Sequence, residues 1–107
     1  LLPDVYHIYK GGSDFNGLKL LSHRMIPVFH MNDYPADPPR ETIGDRDRVM
    51  PGNGIAPLTQ ILRDLRANGG GQVLSLELFN PTYWEMDPLK AARLGLEKMK
   101  AAAEKAE

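Results

Sequence analysis

The sequence predicts an α/β fold of parallel strands flanked by helices. Three observations carry that prediction. Strand-like apolar runs recur three times, and a helix-like stretch follows each one, which is the order of a β/α layer. Asp4, His30 and Glu77 lie at or near the ends of those runs. The third run alternates between two faces in the manner of a strand.

The first strand is expected at residues 5–9, where Val5, Tyr6, Ile8 and Tyr9 bring β-branched and aromatic character. Gly11 and Gly12 break it. Asp14 then opens a short helix in which Phe15, Leu18, Leu21 and Ser22 share one face. The second strand is expected at residues 25–30, despite Pro27, whose missing N–H is tolerated near a strand start. Ile26, Val28 and His30 then share one inward face. Residues 31–54, rich in Pro, Asp, Arg and Gly, form a long loop, and loops of that length are usually functional or disordered.

The second helix is expected at residues 56–67. Pro57 suits its first turn, and Leu58, Ile61, Leu62 and Leu65 make an apolar stripe. Asn68 and three glycines end it. The third strand, residues 72–78, places Val73, Ser75 and Glu77 on one face and Leu74, Leu76 and Leu78 on the other. The leucine face should pack on helices and leave the Ser/Glu face looking inward. Asp87 caps the last helix, with Pro88 at its first position. That helix runs to about Glu104 with Leu89, Ala92, Leu96 and Met99 as its seam, and residues 101–107 are expected to fray.

Composition bounds the function. The net charge of −1 opposes general nucleic-acid binding. The absence of cysteine excludes disulfides and thiolate metal sites. No apolar run approaches the roughly 20 residues of a membrane span, and the opening residues are not expected to be a signal peptide. A cytoplasmic enzyme, or a fragment of one, is expected. Residues 1–107 show no internal domain boundary and are read as one domain. A closed β/α barrel needs about 200 residues or more, so three units imply an open layer or part of something larger. The first element begins without a starting methionine, as expected of a cut sequence.

Strand ends in such a layer share a rim, so Asp4, His30 and Glu77 are expected to meet there as oxygen, nitrogen and oxygen donors for a divalent cation. Each has a plainer reading: Glu77 paired with a neighbouring Arg or Lys, His30 hydrogen-bonded in the core, Asp4 opening a turn. Asp33, three residues after His30, is a candidate to orient it, or part of a turn. His7 converges with Asp4 only if the chain curls after Asp4. The Arg46–Asp47–Arg48 run offers cations for a substrate oxygen, or a solvated loop. Tyr83 and Trp84 wall a sugar site or pack under the loop.

The ordered set Asp4-Val-Tyr-His7, Gly11-Gly-Ser-Asp14, Val28-Phe-His30-Met-Asn-Asp33, Asp47-Arg48-Val-Met-Pro-Gly-Asn-Gly54 and Ser75-Leu-Glu77-Leu-Phe79 resembles the xylose isomerase-like superfamily. Its nearest likeness is to the inosose isomerase and hydroxypyruvate isomerase-like members. The resemblance implies a (β/α)₈ TIM barrel of which this chain is the C-terminal part, its last three β/α units. It implies a divalent metal ion (Mn, Mg, Co or Zn) held by Asp4, His30, Glu77 and an earlier glutamate with no counterpart here. It further implies that Glu77 is catalytic, that His7 and Arg48 bind substrate, and that a sugar or polyol ketone is isomerised or epimerised through an enediolate. Inosose dehydratase shares this metal site and stays open. Abasic-site endonucleases fit poorly, because Arg48 stands where their second loop histidine is required. Without the rest of a barrel, the piece is expected to pair with the missing N-terminal half or with another copy, or to be inactive.

Overall fold

The computed structural model describes residues 1–107. Two short parallel strands, β1 (Val28–Met31) and β2 (Val73–Leu76), form the sheet. Val28 pairs with Val73, Phe29 with Leu74, His30 with Ser75 and Met31 with Leu76. Paired residues in a parallel ladder share a face. Phe29 and Met31 are therefore fully buried with Leu74 packed beside them, while Val28, His30, Val73 and Ser75 line the other, open face. The expected division of the third strand into a helix-packed leucine face and an open Ser/Glu face describes this sheet.

Residues 5–9 are not a strand. They form helix α1 (Val5–Lys10), capped by Asp4, whose carboxylate accepts the His7 N–H at 3.0 Å. Capping of the first turn and burial of Val5 and Tyr6 in the core outweigh the β-preference of the side chains. What remains extended is the stretch before it. The Pro3 carbonyl accepts the His30 N–H at 2.9 Å, and Asp4 forms a parallel bridge with His30.

The expected second strand starts three residues later and ends one residue later than the sequence suggested. His23–Met25 is a 3-10 turn, and the ladder starts only after Pro27, which has no N–H to give but accepts from Val73 at 3.0 Å. Ile26 accordingly lies in the hydrophobic core and not on the open face with His30. Phe15–Leu20 is a 3-10 helix capped by Asp14, as the apolar spacing suggested for a short helix there.

Helix α2 (Leu58–Ala67) buries Leu58, Ile61, Leu62 and Leu65, the stripe read from the sequence. A four-residue helix, α3 (Pro81–Trp84), precedes α4 (Pro88–Lys105), which Asp87 caps. The seam of α4 is rotated from the expected one. Leu89, Ala92 and Leu96 face outward, while Met99, the fourth expected seam residue, does pack on the core with Ala102, and Gly95 is buried so close to Leu76 that a side chain there would collide with it. The tail does not fray either: Ala106 is buried, and its carbonyl accepts from Arg66 Nη1 at 3.1 Å. No helix is long and apolar enough to cross a membrane.

Residues 31–54 are ordered by their own contacts. Asp33 and Val49 exchange two backbone hydrogen bonds of 3.0 Å, and Asp45–Asp47 forms a 3-10 turn. Ile43 and Met50 anchor the excursion in the interior.

Candidate metal centre

Strand pairing builds this site. The Asp4 bridge puts Asp4 beside His30, and the β1–β2 register puts Ser75 on the other side of His30. Glu77 lies two residues beyond Ser75 and so returns to the same face. Its N–H still bonds the Met31 carbonyl at 3.1 Å, which fixes the strand end. One oxygen or nitrogen atom from each of Asp4, His30 and Glu77 lies within 4.8 Å of the others. His30 Nδ1 stands 3.6 Å from Asp4 Oδ2 and 3.5 Å from Glu77 Oε2.

This donor set fits a divalent cation. Two carboxylates and an imidazole converge from one face, and such mixed O/N sets suit zinc, manganese and cobalt. Exposure is graded across the three side chains: 5% for Asp4, 20% for His30 and 33% for Glu77. Asp4 is thus the floor of the site and Glu77 its open edge.

Arg48 sits at the centre of the surrounding charge. Its side chain is only 1% exposed. Nη1 donates to Glu77 Oε2 at 3.0 Å and lies 3.6 Å from Asp4 Oδ2, while Nη2 donates to Asp45 Oδ1 at 2.8 Å. The guanidinium carbon lies 4.7 Å from the centre of the Tyr6 ring and 4.9 Å from that of Phe79. Burial, and then the Asp45 carboxylate, push the Tyr6 phenol above its ordinary pKa. The expected substrate contact of Arg48 is therefore not a free one, since this arginine is enclosed and paired.

His7 is exposed at the edge of the site, with Nε2 3.5 Å from Arg48 Nη2. It converges with Asp4 because the chain does curl into α1. Asp33 does not orient His30. Its Oδ1 accepts from Tyr34 at 2.8 Å and Ala56 at 2.9 Å, and its Oδ2 from Gly52 at 2.9 Å and Gly54 at 3.2 Å. The carboxylate folds the glycine turn, where Gly54 approaches the Tyr34 carbonyl too closely for any side chain. Tyr83 packs under the loop, accepting the Met50 N–H at 3.1 Å, and Trp84 stays exposed.

Sequence reasoning passed over four residues around Arg48 and Asp4: Tyr6, Asn32, Asp45 and Asn80. Asn80 Nδ2 donates to the Arg48 carbonyl at 2.9 Å. Nothing in local composition marks these residues, because their roles arise from contacts between distant segments.

The chain is similar to several known proteins. It is 33% identical over 93 residues to an inosose isomerase of Halalkalibacterium halodurans, covering 87% of this chain and 33% of that protein. An inosose isomerase of Bacillus velezensis is 31% identical over 105 residues, covering 98% of this chain and 37% of its own length. The crystal structure of the IOLI protein with a bound zinc atom superposes with a TM-score of 0.91 at 30% identity, over 100% of this chain and 38% of that one. The chain thus spans about a third of the length of the relatives it matches. Residues 1–102 match the family described as xylose isomerase-like TIM barrel, and the chain belongs to that family.

Proposed function

We propose that these residues form one domain-sized C-terminal part of a TIM barrel enzyme that isomerises or epimerises a sugar or polyol ketone with a divalent metal ion. The observation that carries the proposal is the convergence of Asp4, His30 and Glu77 on one rim. Similarity to inosose isomerases, and to a structure with bound zinc, supports it.

Asp4, His30 and Glu77 would hold the cation, with further ligands from residues outside this chain. When bound, the cation supplies Lewis-acid polarisation of a carbonyl oxygen. Glu77 is the more exposed of the two carboxylates, so it is the one a substrate can reach. It accepts a proton from the carbon next to the carbonyl and returns it to the neighbouring carbon, whereas return to the opposite face needs a second acid/base group supplied by residues outside this chain. His7, exposed beside it, contacts a substrate hydroxyl. Arg48 steadies Glu77 from behind and meets a substrate oxygen only where Asp45 or Glu77 releases one of its N–H groups.

The test is Glu77→Gln in the full polypeptide that carries this chain. Loss of a positioned acid/base group should lower turnover by about 10²- to 10⁴-fold. Turnover within a few-fold of the parent would remove Glu77 from the chemistry.

A further inference from the structure

Asn32 takes no part in the reaction just described, yet from the end of β1 it bonds both the start of α1 and the end of β2. We propose that Asn32 is its positioning residue, a neutral clip that aims the Asp4 carboxylate and fixes the spacing between Asp4 and the end of β2. This rests on the metal-site reading above. Asn32 is fully buried. Its Nδ2 donates to Asp4 Oδ2 at 3.0 Å and to the Glu77 carbonyl at 3.3 Å. Its Oδ1 accepts the Tyr6 N–H at 2.9 Å. One side chain thus joins the end of β1, the start of α1 and the end of β2.

The chemistry requires an amide. The position needs two donors and one acceptor within one short side chain, and asparagine has them. An aspartate would set a second acceptor against Asp4, and an apolar residue would strand a buried carboxylate oxygen and a buried N–H. The two Asp4 oxygens are held differently. Oδ1 accepts the His7 N–H at 3.0 Å and belongs to the helix cap. Oδ2 takes the Asn32 donor and is the oxygen that faces His30 and Arg48. Asn32 therefore selects which oxygen is presented, and it does so without neutralising the charge, unlike Arg48. A partner that orients a ligating group typically changes metal affinity by about 10- to 100-fold.

The experiment is calorimetric titration of Mn²⁺ into the chelator-treated full polypeptide, beside Asn32→Ala and Asn32→Ser, with thermal melts of each. Asn68→Ala is the comparison, because Asn68 is another amide clip, bonding the Leu18 and Leu21 carbonyls away from the site. The Asn32 variants should bind Mn²⁺ at least about 10-fold more weakly at a temperature where all are folded. Asn68→Ala should lower the melting temperature and leave the affinity unchanged. If Asn32→Ala does not fold, Asn32→Ser carries the comparison. Asn32 variants that melt lower but bind within twofold of the parent would overturn the proposal and leave the metal site standing. A parent polypeptide that binds no Mn²⁺, Co²⁺ or Zn²⁺ would overturn both readings together.

Discussion

Replacing Arg48 by methionine separates its electrostatic role from its packing role, because methionine refills much of the space between Tyr6 and Phe79. The ligating atoms of Asp4 and Glu77 lie within 4.8 Å of each other. At that distance and an effective dielectric of about 20, two unit negative charges repel by about 3.5 kcal/mol. Arg48 offsets this repulsion from 3.0 Å and 3.6 Å. Breaking a buried ion pair costs about 3–5 kcal/mol. Glu77 is a third exposed, so solvent screens its share and the lower end applies. Arg48→Met should therefore lose about 3 kcal/mol in chelator. Millimolar Mn²⁺ should restore much of that loss, because the cation returns the missing positive charge between the carboxylates. The parent should gain less from the same addition. Urea unfolding of both proteins, with chelator and with Mn²⁺, measures the four values. A loss below about 1 kcal/mol, or equal gains from Mn²⁺ in parent and variant, would refute the reasoning.

Asp33→Ala removes the acceptor for four backbone N–H groups, at Tyr34, Gly52, Gly54 and Ala56. It should cost at least about 3 kcal/mol, with amide exchange quickening at Gly52 and Gly54, and unchanged exchange there would contradict the assignment. Tyr34 stacks on Tyr9 with ring centres 3.8 Å apart, and burial, then Tyr9 and Asp33, push its phenol up from 10.0 to about 12. A raised folded-state pKa means that the stabilising contribution is complete below pH 10 and is lost as pH rises towards 12. Two pKa units correspond to at most about 2.7 kcal/mol, so stability should fall across that window, and Tyr34→Phe should flatten the fall.

Much of this molecule could be read from the sequence, and the parts that could differ in kind from the parts that could not. Local patterns sufficed where one short segment carries its own reason. The α2 stripe, the Asp87–Pro88 helix start and the alternation of Val73 to Glu77 each depend on spacing alone. His30 and Glu77 could be nominated together because the C-terminal ends of strands in a parallel layer share a rim, whereas Asp4 reaches that rim because the extended stretch ends at it and residues 5–10 are a helix. Tertiary structure decided the rest. Residues 5–9 have strand-like side chains but form a helix, because Asp4 caps them and the core takes Val5 and Tyr6. The buried face of α4 was set by its close approach to Leu76, which the apolar seam of its own sequence does not record. Asp33 lies three residues from His30 along the chain, yet its carboxylate serves a glycine turn some twenty residues further on. Arg48 looked like a loop cation and is a buried counter-charge between distant acids. Asn32 carried no sequence signal at all. Its partners are 26, 28 and 45 residues away, so only folding brings them within hydrogen-bond reach.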